Sequence, residues 1–388
     1  MSCSRKNRKN WNYGDLLGVK KKRKFLKRDQ HCKAGPVMLQ KSATRESPIC
    51  LFSSLPAECK VHIFSFLNDT EKCRAAMVCS SWANIMRTPQ LWQVADFTYG
   101  LSRGVLPKDD CKAISCIKER AKNYVYHLVS RGAFLRSLTF ELDIIDGDET
   151  WLKFLIYCLK MTNSRELQRV HAKWTKSPDF MPISGEENHW KSARVKSFLS
   201  LLITLSETSP LIEELYTPCD WSEPTVSLLC KFKHLHTLEL DKYWVFALFR
   251  QENLNELLDS LPRLKRFKLT VFVPLLGTLS FPEYKVSSKS LEVLDISNCT
   301  CFFLKSVDLP SLTAFTTARN KWNGPMLSRD ALQVSCLLNI LKVGAPNLRR
   351  YNDCVLTQEW RSSVTANLEE ALKSSCYCSR HKRCSLLY

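Results

Sequence analysis

Near the C-terminal end, the stretch CYCSRHKRC sets Cys376, Cys378, His381 and Cys384 within nine residues. Thiolates and an imidazole are ligands that zinc prefers, and four of them could complete a tetrahedral site. The spacing argues against it. One residue separates Cys376 from Cys378, where structural zinc sites place about two to four between the first pair. Arg380, Lys382 and Arg383 also crowd the cluster with positive charge. Residues 376–388 read as a basic, cysteine-containing tail without a metal. Cys384 is fifth from the end, one position off a prenylation box, so no lipid anchor is expected. Other chemistry-bearing motifs are missing. The sequence has no glycine-rich phosphate loop, with only 11 glycines in all, no G-x-S-x-G elbow and no H-E-x-x-H metal helix. It therefore predicts no catalytic residue and no cofactor, and points to binding.

The elements that would carry a binding function lie in 388 residues, enough for two or three modules. Apolar residues make up 45%, in the globular range. The longest apolar runs, such as FLSLLITL (198–205), are too short to span a bilayer, and no membrane partner is expected. The start, MSCSRKNRKNW, has basic residues with no apolar core behind them, so it does not read as a secretory signal. In an intracellular chain the 18 cysteines stay reduced. Cys79, Cys158, Cys230 and Cys336 sit inside apolar patterns and read as small buried hydrophobes.

The net charge of +19 is uneven. Residues 1–33 hold twelve Lys/Arg and two Asp, so +10 of it sits there. Residues 1–48 are polar, basic and without apolar periodicity, the composition of a disordered tail. Within them Lys20, Lys21, Lys22, Arg23 and Lys24 open the run KKKRKFLKR, which reads as a nuclear import signal in a nuclear and/or cytoplasmic protein.

Residues 53–92 carry three short helical patterns. Ser54 is the candidate cap of the first, with Pro56 and Glu58 in its first turn and Ile63, Phe64 and Leu67 at helical spacing. NDTE (68–71) breaks it and starts the second, with Asn68 or Asp69 as cap and Glu71 in its first turn; its stripe is Ala75, Val78, Cys79, Trp82, Ile85 and Met86. Thr88 and Pro89 start the third. So short a segment has too little core to use all these apolar groups internally, so part of its surface belongs to another protein.

The residues LP.E (55–58), IFSFL (63–67), VCSSW (78–82) and P.LW (89–92) resemble the F-box, over 49–95. Cys59 departs from that pattern, where leucine is more usual. The resemblance implies docking onto a Skp adaptor and, through it, onto cullin and RING subunits. The adaptor-facing positions it carries over are Leu55, Pro56, Ile63, Phe64, Leu67, Val78, Cys79, Trp82, Leu91 and Trp92.

Residues 96–133 read as a connecting helical segment, with Ile114, Ile117, Ala121, Tyr124, Val125 and Leu128 as its stripe and Gly132 as its cap. From 134 to 375 an L-x-x-L-x-L-like pattern recurs, starting at 135, 167, 212, 235, 264, 291, 312 and 348. Several gaps hold a helix, then proline, then the next strand, the signature of a leucine-rich-repeat solenoid. The short gap before 312 leaves room for a loop or one turn of helix, and the last unit looks degraded, with Tyr351 and Asp353 at apolar positions. The order of modules resembles the F-box/leucine-rich-repeat family. The expected fold is α+β overall: a small three-helix F-box, then an irregular α/β leucine-rich-repeat solenoid.

In each pattern, positions 1, 4 and 6 face the core and 3, 5 and 7 the concave surface. That surface then holds Arg169, His171, Lys173, Glu214, Tyr216, Glu239, Asp241, Arg266, Lys268, Asp295 and Arg350. The mixed signs argue against nucleic acid as a partner of the body. Trp174, Trp221, Trp244 and Trp322 lie seven to ten residues after their strand starts. They read either as an aromatic rim that holds substrate or as packing beneath each loop. The family resemblance implies a non-catalytic receptor subunit of an SCF-type ubiquitin ligase, with an unknown protein substrate. Two other readings are an adaptor-bound scaffold without degradation, and a nuclear nucleic-acid-associated protein acting through its basic N-terminus.

Overall fold

The computed structural model describes residues 51–98, 111–142, 150–162, 164–174, 187–242, 249–271, 273, 283–299, 302–317, 334–357 and 359–361. Lys20, Lys21, Lys22, Arg23 and Lys24, Trp244, Trp322 and the CYCSRHKRC cluster lie outside them. Two compact units emerge. One takes residues up to Trp92 together with Glu119–Ala133; the other takes Gln93–Lys118 and Phe134 onward. The units divide after Trp92, after Lys118 and after Ala133. Val94–Asp96 is a strand of the second unit, and the connecting helix is shared between the two.

The first unit is built from α1 (Leu51–Ser54), α2 (Ala57–Ser65), α3 (Asp69–Ala75), α4 (Ser80–Ile85), a 3-10 turn at Pro89–Trp92 and the second half of α5 (Cys111–Ser130). Ser54 ends α1 instead of capping the next helix; α2 starts behind Pro56, with no side-chain cap. Asn68 does cap α3, in a reciprocal box: its Oδ1 accepts from the Glu71 N–H at 3.0 Å, and Glu71 Oε2 accepts from the Asn68 N–H at 2.9 Å. The single second helix expected from the apolar stripe is two. Cys79 is extended, and its Sγ accepts from the Trp82 N–H at 3.5 Å, capping α4 with a polar Ser80–Ser81 first turn. The i, i+4 spacing that suggested continuity survives the break because Ala75 and Met86 are buried on either side of it, with Trp82 and Ile85 half-buried. Gly132 closes α5 at φ +61, a conformation side chains with a Cβ resist, and Ala133 N–H reaches back to Leu128 O at 3.0 Å.

Trp92 is the pivot of this unit, 1% exposed. Its indole N–H donates to Met86 O at 2.8 Å, its edge meets His127 at 4.6 Å, and the Lys72 ammonium lies 5.3 Å from its centroid. Lys72 is itself buried, with Asp69 Oδ1 at 3.2 Å; Asp69 also accepts from the Tyr124 hydroxyl. A buried ammonium without that carboxylate is costly. Trp92→Ala should destabilise this unit by about 3–5 kcal/mol, read by chemical denaturation. Burial, against an opposing pull from Asp69, holds His127 below its usual range. The unfolded state then binds the extra proton, so the stability of this unit should decline as pH falls below the ordinary value of 6.5.

The second unit carries a ten-stranded sheet in the order β1 (Val94–Asp96), β2 (Ser137–Leu142), β3 (Arg169–Trp174), β4 (Glu214–Cys219), β5 (Thr237–Lys242), β6 (Arg266–Leu269), β8 (Val293–Ile296), β10 (Ala314–Thr317), β11 (Arg350–Tyr351) and β12 (Cys354–Val355). Every pair is parallel except β11 with β12, which turn back on each other through Asn352 at φ +48. The strands β2 to β6, β8, β10 and β11 each begin two residues after a pattern start. Their inward rows are close-packed: Leu138, Val170, Leu215, Leu238, Phe267, Leu294, Phe315 and Tyr351 are all buried. Tyr351, expected to be out of place, fills its slot and ties its hydroxyl to Thr317 Oγ1 at 2.5 Å.

One bonding motif repeats along the edge. The carbonyls of Gln93, Arg136, Gln168, Glu213, His236, Lys265, Glu292 and Thr313 each accept two successive N–H groups from the next unit, at 2.8–3.1 Å. This satisfies the turns leading into β2 to β6, β8, β10 and β11 and holds the register.

Behind the sheet, α6 (Thr150–Met161), α7 (Glu187–Thr208), α8 (Glu223–Leu229), α9 (Gln251–Ser260), β7 (Glu283–Ser287), β9 (Phe303–Asp308) and α10 (Val334–Gly344) pack in that order. Strands β7 and β9 stand where helices stand elsewhere, pairing in parallel with each other. The gaps that hold them are among the shortest; a strand rises about 3.3 Å per residue against 1.5 Å for a helix, so few residues suffice. The short gap before 312 thus holds a strand and not a loop or a helical turn. No helix among the described residues is long and apolar enough to cross a membrane.

Candidate functional site

The open face of the sheet displays its outward side chains in register. One row runs Asp96, Thr139, His171, Tyr216, Glu239, Lys268, Asp295 and Thr316. A second, two residues earlier, runs Ser137, Arg169, Glu214, Thr237, Arg266, Val293, Ala314 and Arg350. The surface residues read from alternation therefore sit together. The His171 and Tyr216 rings lie 4.2 Å apart at 31°, and the Lys173 ammonium stands 6.0 Å from the Tyr216 centroid. Lys268 Nζ pairs with Glu239 Oε2 at 3.3 Å. Burial, then Lys173, holds His171 below its usual range, while Glu239 and Asp96 oppose. For Lys268, burial pulls the pKa down, but the charge and hydrogen bond of Glu239 outweigh it and the pKa rises.

Of the two readings of the tryptophans, rim or packing beneath a loop, Trp221 fits the second. Trp221 is core, 3% exposed, at the unusual φ of +57. Its ring meets Phe249 at 4.5 Å, and Phe249 meets Tyr284 at 4.8 Å, with Tyr284 stacked on Phe302. The Asn253 amide donates to Trp221 O at 2.7 Å and holds the strained turn. Asn253→Ala should cost about 1–3 kcal/mol, measured by thermal unfolding, because a buried carbonyl loses its partner. Trp174 closes β3 in sequence.

Among the cysteines, Cys158 and Cys230 are buried as expected, and so are Cys219 and Cys299. Burial pushes the Cys158 thiol up to about 12, far from a nucleophile's range. Cys79 is exposed, contrary to expectation, because the break before α4 turns it outward.

In the first unit, Phe52, Phe64 and Trp82 form an aromatic triangle, with centroids 4.9–5.5 Å apart. Around it the chain leaves large apolar groups in solvent: Ile63 is 43% exposed, Phe66 77%, Met77 56% and Val78 63%. A family model described as F-box-like matches residues 52–98. Residues 52–98 are an F-box-like domain. A stretch of 41 residues is also 49% identical to F-box/LRR-repeat protein 5 of Danio rerio. That match covers 11% of this chain and 6% of the relative, so it speaks for the short module alone.

Within the F-box-like domain, the ten carried-over positions separate by burial. Pro56, Ile63, Val78 and Cys79 are exposed, and Leu55, Leu67 and Trp82 are half-buried. Phe64, Leu91 and Trp92 are core, so they shape the surface from beneath instead of forming it. Phe66 and Met77, which are not among the ten, are exposed as well, at 77% and 56%. No signal in the sequence marks Phe66, the same residue type as Phe64 two positions on.

Proposed function

We propose that this chain is the substrate-recognition subunit of an SCF-type ubiquitin ligase. The F-box-like domain docks on a Skp adaptor and, through it, on cullin and RING subunits. We read the second unit as an irregular leucine-rich-repeat-like solenoid whose sheet face holds a protein substrate. The chain does no chemistry; it raises the local concentration of substrate lysines near a charged conjugating enzyme. The observation that carries the reading is the F-box-like domain with Ile63, Phe66, Met77 and Val78 left in solvent. Isolated exposed apolar residues are ordinary; four within sixteen residues of a small domain fit a partner surface. The ordered polar face of the sheet supports the second half of the reading.

Calorimetry of the full chain against a purified Skp adaptor tests it. Submicromolar binding is expected, and reconstitution with cullin, RING subunit and conjugating enzyme should transfer ubiquitin to proteins held by the chain. Adaptor binding without transfer would favour the scaffold. No adaptor binding at about 10 μM, corresponding to weaker than about 7 kcal/mol, would overturn the reading. Nuclear import through Lys20, Lys21, Lys22, Arg23 and Lys24 belongs to the same proposal. Changing all five to Ala should move a fluorescent fusion out of the nucleus.

A further inference from the structure

We propose that β3 anchors an extended acidic segment of the substrate, one with acidic side chains at its first and fifth positions and an aromatic residue at its third. The proposal rests on reading the sheet face as the substrate surface. β3 turns Arg169, His171 and Lys173 outward in one column. The neighbouring strands do not repeat this: β4 offers Glu214 and Tyr216, and β5 offers Thr237, Glu239 and Asp241. Both cations of the β3 column are exposed. Among the described residues no ion pair reaches either, although Glu214 stands opposite Arg169 and Glu141 opposite Lys173 in register. Lys268 on β6, by contrast, is already neutralised by Glu239.

Between the two cations sits the His171–Tyr216 ring pair, a half-buried platform of two rings tilted at 31°. His171 Nε2 is buried and has no hydrogen-bond partner among the described residues. Ser137 and Thr139 flank Arg169 and His171 in register and add hydroxyl groups beside the column.

Spacing selects the occupant. Alternate residues on a strand are about 6.6 Å apart, so Arg169 and Lys173 stand about 13 Å apart with the platform midway. An extended peptide has the same repeat. Its first and fifth residues reach the two cations while the third lies on the rings, where an aromatic side chain gains stacking and cation–π contact. A helical ligand brings its first and fifth residues within about 6 Å, too close for both. A single phosphate likewise spans only one of the two.

Fluorescence anisotropy of the full chain with labelled synthetic peptides tests this. One peptide carries Glu at positions 1 and 5 and Tyr at 3; a second has the same composition with the glutamates adjacent; a third carries one phosphoserine in place of both glutamates. The spaced peptide should bind at least tenfold tighter than the other two. Arg169→Glu or Lys173→Glu should remove that preference with melting unchanged, and Arg266→Glu should leave it intact. Equal binding of the spaced and adjacent peptides overturns the proposal, as does binding of the phosphoserine peptide alone. Adaptor binding is measured on the same samples. Its loss beside an intact peptide preference sinks the ligase reading and not the anchor; the reverse outcome sinks the anchor alone.

Discussion

Ile63→Asp combined with Val78→Asp lowers Skp-adaptor affinity by at least 100-fold while the melting temperature moves by less than about 2 °C. The two residues are 43% and 63% exposed, so within the free chain a carboxylate at either stays hydrated. Exposed substitutions of this kind usually change stability by about 0.5 kcal/mol or less. In a complex that covers them, each carboxylate is stripped of water with no partner, at a cost of several kcal/mol. The 100-fold loss corresponds to about 2.7 kcal/mol. Phe64→Ala should behave in the opposite order. It removes a ring from the Phe52–Phe64–Trp82 cluster, so melting falls first and adaptor binding follows only as the domain loosens. Calorimetry and thermal unfolding on the same samples separate the cases. Full adaptor affinity in the double Asp variant would show that docking uses another surface.

Gly344→Ala unfolds the α10 end of the second unit. A Cβ at this position would lie 1.7 Å from Val307 O and 2.6 Å from Val307 C, inside the backbone of β9. A flexible side chain could give way, but a strand backbone held in a parallel pair with β7 has nowhere to go. The same glycine's carbonyl accepts from the Leu309 N–H at 2.7 Å, so the close approach is bonded as well as packed. Overpacking against backbone costs about 3 kcal/mol or more, equivalent to a melting shift on the order of 10 °C. Hydrogen exchange should rise first in α10 and β9. Val343→Ala is the control: its side chain is largely in solvent, and melting should hold. A Gly344→Ala chain that melts like the parent would mean that α10 and β9 separate freely.

Much of the second unit was legible in its sequence. Each of the eight L-x-x-L-x-L starts lies two residues ahead of a strand, because the pattern encodes two physical facts at once: alternation, which chooses the inward face, and a leucine that anchors the turn before it. The cap of α3 was legible to within one residue, Asn68 or Asp69, for a similar reason, since its donors and acceptors lie three residues apart on one chain. The same local logic failed between Ala75 and Ser80. There an apolar spacing compatible with one helix concealed a break at Cys79 that only the pairing of Phe64 with Trp82 makes worthwhile.

What the sequence by itself determined is therefore whatever a single strand or turn can decide: where the strands start, which residues face inward, and that a short apolar module precedes them. Tertiary structure alone decided which large apolar groups stay in solvent, that Trp221 closes an aromatic core, that β7 and β9 replace helices, and that His171 shares one row with Glu239, Lys268 and Asp295. The reason is that burial and charge compensation depend on residues tens of positions away. Phe64 and Phe66 differ little in type and spacing, but one meets Trp82 and the other meets water.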